Sequence, residues 1–277
     1  TALSSANRPY HSQILSFSYI LMGICVIFGW GNLAKAQTGT GEDDPLRFLI
    51  WLSQDTQAIP KSLLMTSPTK LAIGVSSLFA VSRFDESISN RSVNWRKREL
   101  MRVLEELGDA NAVRPLAFVI FTGSLFSDNH RFQDAAFTSF QSLLYANVLT
   151  NALKFGFGRS RPFQGDDAFV FRPFSGRTSF PSGHATTAFA AITPWLLYYP
   201  NSVTVLAVIV ATGTAFSRVP LLFHWPSDVV AGALVGFSTS SWLYRRHIRR
   251  VNGETGIPDS KIALRVAPNT ISMTLKW

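Results

Sequence analysis

Long apolar segments, with few strand-like alternations between them, constrain the fold of this chain more than any other feature. Apolar residues make up 47% of its 277 positions and charged residues only 16%. The segments are longer than a typical buried strand, so their length favours helices. The sequence therefore predicts a mainly α-helical bundle. The apolar segments are 71–82, 116–126, 135–153, 185–217, in which Pro194 and Pro200-Asn201 are expected to break the helix, and 229–244.

Two further segments have a clear period. Residues 93–108 carry apolar side chains at helical spacing among charged ones, which predicts an amphipathic helix that covers the core. In 261–277, apolar residues alternate with polar or small ones on both sides of Pro268-Asn269. Period two around a turn predicts a small C-terminal β-hairpin.

The N-terminal segment has the layout of a secretory signal peptide. Residues 14–30 are apolar and uncharged, and Ala34-Lys35-Ala36 has the A-x-A pattern of a cleavage site. The predicted organisation is a signal peptide at 1–36, a helical domain at 37–260 with its core at about 134–244, and the hairpin at 261–277. An uncleaved anchor helix is the alternative. Cys25 is the only cysteine and lies in this segment, so the exported part would contain no disulfide.

Three short motifs in the second half contain the residues with obvious chemistry. They provide three cations, two histidines, a carboxylate and a glycine turn within a short stretch. This set of residues suits binding a tetrahedral oxyanion, attacking it with one histidine and protonating its leaving group with the other. In sequence order the motifs are Lys154 with Arg161-Pro162, Pro181-Ser182-Gly183-His184, and Ser217-Arg218 with His224 and Asp228.

The cationic side chains and the glycine turn suit a phosphate ligand. An arginine fork donates paired hydrogen bonds to phosphate, whereas Lys154 acts as a point charge. Ser182 is a suitable N-cap, and the backbone N–H groups of a helix start bind anions. Gly183 allows the backbone to approach the phosphate without a Cβ atom in the way. Arg159 and Arg172 lie nearby but outside the motifs, and are expected in solvent or behind the site.

Together the three motifs resemble the type 2 phosphatidic acid phosphatase superfamily, which also contains bacterial acid phosphatases and vanadium haloperoxidases. The resemblance covers roughly residues 134–244. It implies a helical bundle of the phosphatidic acid phosphatase and haloperoxidase type, with His224 as nucleophile and His184 as general acid. Asp228, four residues after His224, is expected to accept the proton of the other ring nitrogen and orient the ring. The phosphate-binding residues would be Lys154, Arg161, Ser182, Gly183 and Arg218.

The expected activity is hydrolysis of phosphate monoesters or diphosphates, in first place those of lipids, through a phosphohistidine intermediate. No metal and no cofactor are expected, since His11, His130 and His247 are isolated from carboxylate clusters in the sequence. The formal net charge of +9 would suit nucleic acid, but the basic residues do not interleave with exposed aromatic residues, so no nucleic-acid partner is expected.

The expected location is the periplasm or the periplasmic face of a bacterial envelope membrane. We favour an exported globular or peripheral enzyme over an integral one, although the basic run 245–250 is typical of a cytoplasmic membrane flank. Two other functions remain open at this point. The chain could be a vanadate-dependent haloperoxidase, or a non-catalytic envelope protein whose site only binds phosphate groups.

Overall fold

The computed structural model describes residues 44–64, 67–97, 99–253, 262–267 and 270–275. Within these ranges the chain is mainly α-helical, as the apolar segments predicted, while the expected signal peptide at 1–36 lies outside them. The helices are α1 (Arg47–Leu64), α2 (Pro68–Ser82), α3 (Asp85–Ser92), α4 (Glu99–Leu107), α5 (Ala110–Ser124), α6 (His130–Phe157), α7 (Gly183–Tyr198), α8 (Ser202–Ser217) and α9 (Pro226–Val251). Two 3₁₀ turns (Val93–Lys97 and Pro162–Gln164) and two strands, β1 (Ile262–Ala267) and β2 (Thr270–Leu275), complete the described elements.

Helix α7 lies at the centre of the bundle and packs against α6, α8 and α9. The earlier helices cover this group: α5 contacts α6 and α7, α4 contacts α8, and both α2 and α3 contact α9. One apolar core cluster joins Ala117 of α5 to Leu143, Ala146 and Ala190 of α6 and α7. The four later helices run alternately up and down, so the end of α6, the start of α7, the end of α8 and the start of α9 meet at one end of the bundle.

Local sequence signals set the ends of these helices. The Asn129 side chain accepts a hydrogen bond from the Phe132 N–H at 3.0 Å and so caps the start of α6. Helix α6 ends at Gly158, whose φ of +56° is left-handed. A Cβ atom at Gly158 would lie 1.8 Å from the Arg172 carbonyl oxygen, so only glycine fits there. Pro226 occupies the first turn of α9, where its missing N–H costs no hydrogen bond.

The expected break at Pro194 is wrong, because α7 continues through it to Tyr198. A proline inside a helix has no N–H to donate to the carbonyl four residues earlier, here that of Ala190. The Ser240 hydroxyl of α9 donates to the Ala190 oxygen at 3.2 Å instead. The neighbouring helix therefore satisfies the carbonyl that Pro194 leaves without its usual donor. The break at Pro200-Asn201 is present, and the Asn201 side chain caps α8.

The segment expected as one amphipathic helix at 93–108 is divided into the 3₁₀ turn Val93–Lys97 and α4. Its covering role agrees with the structure, since α4 packs on α8 and the ring of Trp95 contacts that of Phe216. At the C-terminus, β1 and β2 pair antiparallel with Ile262 opposite Leu275, which gives the hairpin that the alternation predicted.

A buried ionic cluster ties α1 to the end of α9, away from the sequence motifs. Asp55 is fully buried and accepts hydrogen bonds from Arg246 at 2.7 Å and from Arg250 at 2.5 Å. His247 lies 2.9 Å from Asp55 through Nε2 and 2.7 Å from the Thr138 hydroxyl through Nδ1. His247 thus has one carboxylate neighbour, Asp55, which lies on a helix distant in the sequence.

Among the described residues, no helix combines the length and apolarity that a membrane crossing requires. Apolar side chains nevertheless cover much of the outer surface. On α8, for example, Val203 is 75%, Leu206 60% and Ile209 61% exposed.

Candidate active site

The structure brings all the residues of the three motifs to one end of the bundle. Lys154 lies in the last turn of α6, and Arg161 follows in the connecting segment. Arg218 caps the end of α8, and His224 precedes α9. The remaining residues open helices: Ser182, Gly183 and His184 stand at the start of α7, and Asp228 lies in the first turn of α9.

Lys154 and Arg161 converge on Thr178, in the loop before α7. The Lys154 Nζ atom donates to the Thr178 carbonyl oxygen at 2.5 Å, and Arg161 donates to the Thr178 hydroxyl at 3.1 Å. A Cβ atom added to Gly183 would lie 3.8 Å from the Lys154 side chain. These contacts place two cations beside the backbone N–H groups at the start of α7, which lack intrahelical acceptors.

Arg218 is held by residues that the motifs do not include. Its guanidinium lies 4.3 Å from the ring centroid of Phe223 and forms an ion pair with Glu105 of α4. Glu105 can reach Arg218 because α4 packs tightly on α8. A Cβ atom at Gly108 would lie 1.9 Å from the Thr214 side chain. The third cation of the site is thus oriented from outside the motif-bearing helices.

The three cations act together on the ionisable groups of the site. Burial, followed by the nearby charge of Arg161, lowers the pKa of Lys154 to about 7. Burial, followed by the charges of Arg218, Lys154 and Arg161, lowers the pKa of His184 to about 3. Positive charge this concentrated beside a helix start makes the site suited to binding an anion.

The contacts of His224 identify which ring nitrogen is available for reaction. Its side chain is buried, and Nδ1 lies 2.8 Å from the carbonyl oxygen of Ser179. A carbonyl oxygen only accepts hydrogen bonds, so Nδ1 carries the proton. Nε2 then has the free lone pair of a neutral imidazole. Burial, followed by the charges of Lys154 and Arg161, lowers the pKa of His224 well below its usual value, which favours this neutral form.

The expected direct hydrogen bond between Asp228 and His224 is wrong. The Asp228 carboxylate is 3.7 Å from His224 Nδ1, beyond hydrogen-bonding distance. It accepts instead from the Ser179 hydroxyl at 2.5 Å and from the Trp225 N–H at 2.9 Å. The start of α9 and Ser179 therefore bind the carboxylate, and the hydrogen bonds that link Asp228 to His224 run through Ser179.

Asp228 also supports the glycine turn. Its backbone carbonyl accepts a hydrogen bond from the Ser182 N–H at 2.9 Å. The Ser182 hydroxyl in turn accepts from the Ala185 N–H at 3.5 Å, as expected of an N-cap. One residue of α9 thus holds both the segment that orients His224 and the turn that contains His184.

The sequence analysis expected Arg159 either in solvent or behind the site, and the structure places it behind Asp228. Arg159 is fully buried and donates to Asp228 at 2.5 Å and to Asp85 of α3 at 2.7 Å. Arg172, by contrast, has an exposed side chain 3.9 Å from Asp166. The position of Arg159 beside Arg161-Pro162 was the only sequence signal for it. Asp85 and Glu105 lie in polar stretches that carry no motif.

A cavity of about 440 Å³ lies at the opposite end of the bundle. Two of the arginines that line it pair with carboxylates: Arg47 lies 3.0 Å from Asp134 and Arg250 lies 2.5 Å from Asp55. Within the described ranges, no group of three or more His, Cys, Asp or Glu side chains has the arrangement of a metal site.

Comparison with known proteins shows which family the motif-bearing part of the chain is similar to. Residues 135–252 match the profile of the PAP2 superfamily. A lipid A 1-phosphatase of Rhizobium etli is 38% identical over 102 residues, which are 35% of this chain and 44% of the relative. An undecaprenyl-diphosphatase of Sulfolobus acidocaldarius is 34% identical over 103 residues, 37% of this chain and 48% of the relative. The chain thus spans less than half the length of these curated relatives.

Among solved structures, the chain resembles a transmembrane PAP2-type phosphatidylglycerolphosphate phosphatase from Bacillus subtilis. The two are 24% identical with a TM-score of 0.46, and the alignment covers 75% of this chain and 94% of the other.

Proposed function

We propose that the chain is a metal-independent phosphatase that cleaves phosphate monoesters or diphosphates of lipids, a proposal that the match of residues 135–252 to the PAP2 superfamily supports. The observation that carries the proposal is the convergence of Lys154, Arg161 and Arg218 on two buried or partly buried histidines, whose pKa values are lowered by burial and then by all three cations. Such a site has the charge and the nucleophile that phosphoryl transfer requires.

Binding is the first step. The phosphate oxygens lie against the three cations and the N–H groups at the start of α7. Phosphoryl transfer depends mainly on positioning and on neutralising the equatorial oxygens, and these groups can do both. A planar guanidinium can donate two hydrogen bonds to one phosphate, which fixes its orientation.

Attack on phosphorus comes from Nε2 of His224. The Ser179 carbonyl holds the proton on Nδ1, at 2.8 Å, and so directs the lone pair of Nε2 toward the bound phosphate. The new N–P bond forms as the bond from phosphorus to the leaving oxygen breaks, giving phosphohistidine. The role of Asp228 is to fix the Ser179 segment from which the ring is oriented.

His184 protonates the leaving oxygen and then takes a proton from the water that hydrolyses phosphohistidine. In the unliganded site its pKa is about 3, so it is neutral near pH 7. A bound phosphate opposes the three cations and therefore raises the pKa of His184. Binding of the substrate therefore favours the charged form of His184 that a general acid needs.

A lipid substrate fits the surface around the site. Exposed phenylalanines flank the phosphate-binding residues, and contiguous exposed apolar surface is typical of a membrane or ligand contact. The relatives named as lipid A 1-phosphatase and undecaprenyl-diphosphatase support the same substrate class. We infer membrane association, at the periplasmic face after export of the segment that follows Ala36. The exposed phenylalanines are Phe155, Phe157, Phe163, Phe169, Phe171 and Phe174.

A phosphate-release panel with detergent-solubilised protein tests the proposal. The panel compares lipid A, undecaprenyl diphosphate and a soluble monoester, p-nitrophenyl phosphate, with the wild type and His224→Ala. We expect release from at least one lipid in the wild type and none above background in the variant. Rapid quenching with ³²P-labelled substrate should trap an acid-labile, base-stable phosphoenzyme in the wild type only.

The same preparation separates the other two functions. Halide oxidation with hydrogen peroxide, dependent on added vanadate, without phosphate release would indicate a haloperoxidase. Binding of inorganic phosphate without turnover of any substrate would indicate a non-catalytic phosphate-binding protein. Export is tested by N-terminal sequencing of the native protein, which should begin at Gln37.

A further inference from the structure

Asp85 lies outside the family-matched residues 135–252, yet it reaches the back of the proposed active site. It is the first residue of α3, and its side chain is fully buried. An acid buried this deeply needs partners that compensate the loss of water. Those partners are Arg159 and Ser227, which both stand next to the catalytic loops.

Arg159 uses its whole guanidinium to bind this region. Nε and Nη2 donate to the Ala168 carbonyl at 2.8 and 2.7 Å, and Nη2 also donates to Asp85 at 2.7 Å. Nη1 donates to the Ser227 hydroxyl at 2.8 Å and to Asp228 at 2.5 Å. A planar fork with five N–H donors can make this set of contacts, and a lysine cannot.

Asp85 also fixes the start of α9. One carboxylate oxygen accepts from the Ser227 N–H at 2.8 Å, and the other accepts from the Ser227 hydroxyl at 2.5 Å. A carboxylate at a helix N-terminus is favoured by the helix dipole. The next residue along α9 is Asp228. Asp85 therefore sets where the Asp228 carboxylate lies, both through the helix backbone and through Arg159.

From Asp228 the contacts continue to the nucleophile. The Ser179 hydroxyl donates to Asp228 at 2.5 Å, and the Ser179 N–H donates to the Arg159 carbonyl at 3.1 Å. The Ser179 carbonyl then accepts from His224 Nδ1 at 2.8 Å. The Arg159 carbonyl thus holds the Ser179 backbone, and the Arg159 side chain holds the Ser179 hydroxyl through Asp228.

We propose that Asp85 and Arg159 are positioning residues of this active site, which hold Asp228 and Ser179 where Ser179 orients His224 for attack. The inference rests on the proposed phosphatase function. The Ser182 N–H bonds to the backbone carbonyl of Asp228, which Asp85→Asn and Arg159→Gln do not remove. These variants therefore act mainly on the orientation of His224 and little on phosphate affinity. Removing either should lower kcat and leave KM nearly unchanged.

The test compares Asp85→Asn, Arg159→Gln and Ser179→Ala with the wild type, using kcat per folded molecule on p-nitrophenyl phosphate. The expected loss in kcat is about 10-fold to 100-fold, as for outer partners of functional histidines at metal sites, with KM changed by less than about twofold. Ser179→Ala cuts the same series of contacts with a smaller perturbation of the buried charges, so it keeps the test valid if a charge variant does not fold.

Asp134→Asn is the matched control. Asp134 is also buried and pairs with an arginine, Arg47, at 3.0 Å, but it lies at the start of α6, at the other end of the bundle. It should reduce stability and leave kcat per folded molecule unchanged. An Asp85→Asn variant with the kinetics of Asp134→Asn would overturn the inference and leave the phosphatase proposal intact. A wild type without phosphatase activity, or a fully active His224→Ala, would instead refute the proposed function.

A second measurement separates positioning from a general loss of structure. Burial raises the pKa of Asp228 above its usual value, and the charge of Arg159 partly opposes this rise. Losing the cation in Arg159→Gln should therefore move the acidic limb of the kcat profile to higher pH. Losing the anion in Asp85→Asn should move this limb to lower pH. The positive charge of Arg159 would then no longer be paired with Asp85, and it would act more strongly on Asp228. Shifts in the same direction, or no shift in either variant, would contradict the positioning role.

Discussion

Replacing Gly232 by alanine should disrupt the catalytic turn more than it disrupts the fold. Gly232 lies on the face of α9 that packs against α7. A Cβ atom there would lie 2.3 Å from the Ser182 carbonyl oxygen and 3.1 Å from the Ala185 side chain. Relieving the first contact requires a movement of about 1 Å, and the group that must move is the backbone of the proposed phosphate-binding turn.

Two opposing effects determine the magnitude. Alanine favours a helix interior over glycine by about 1 kcal/mol. Overpacking of a close interface costs typically about 1–3 kcal/mol. The net loss of unfolding free energy should therefore be about 0–2 kcal/mol, and the protein should still fold. A misplacement of about 1 Å in a catalytic group, in contrast, can reduce the rate about 100-fold.

The assay measures chemical unfolding and kcat on p-nitrophenyl phosphate, with Gly74→Ala as the matched control. Gly74 is also inside a helix, α2, but a Cβ atom there has no neighbour within 4 Å. The control should gain up to about 1 kcal/mol from helix propensity and retain full activity. If Gly232→Ala were as stable and as active as Gly74→Ala, the close contact between α7 and α9 would not exist as described.

Three further outcomes can be measured. His184→Ala should lose about 10²-fold to 10⁴-fold in kcat on an alkyl phosphate but less on p-nitrophenyl phosphate, whose leaving group needs little protonation; equal losses would argue against the general acid. Vanadate should inhibit competitively, because its geometry mimics the transition state. EDTA should leave phosphate release unchanged. Inactivation by EDTA with recovery on adding a divalent metal would refute the metal-independent mechanism. Asp55→Asn should cost about 3–5 kcal/mol of unfolding free energy without changing kcat per folded molecule. The contacts of Asp55 with His247 and Arg250 outweigh its burial and depress its pKa in the folded state. The stability that Asp55 provides is therefore present above its unfolded pKa of about 4 and is lost as the pH falls below that value. Urea unfolding at several pH values should show that the unfolding free energy of the variant depends less on acid pH than that of the wild type.

Sequence features of short range predicted the fold and the location of the site. The length of the apolar segments predicted the helices, and Pro226 and Ser182 marked the starts of α9 and α7. Alternating helix direction then brought every motif residue to one end. The prediction of a helix break at Pro194 was wrong for a tertiary reason. Whether a proline breaks a helix depends on whether another group satisfies the freed carbonyl, and that group, Ser240, lies on a neighbouring helix.

The electrostatic partners of the site could not be derived in this way. The spacing of His224 and Asp228 places them near each other but does not decide which acceptor the ring selects, and the Ser179 carbonyl is closer. Asp85 and Glu105 come from helices that carry no motif. They reach the site because α3 packs on α9 and α4 on α8. Contacts of this kind depend on the tertiary arrangement and leave no periodic signal in the sequence.

The charge arrangement links binding to the protonation of the catalytic histidines. Lys154, Arg161 and Arg218 act on both His184 and His224, and they do so despite the carboxylates of Asp228 and Glu105 nearby. In the unliganded site, burial and then this charge lower the pKa of His224, which favours the neutral form that a nucleophile needs. A bound phosphate opposes the same charge and raises the pKa of both histidines. In the proposed mechanism, His224 is held in its Nδ1–H tautomer by a carbonyl and becomes covalently bound to phosphorus, whereas His184 transfers a proton to the leaving oxygen. On this proposal the same three cations prepare the nucleophile before the substrate binds, and the bound phosphate then favours the charged form of the general acid.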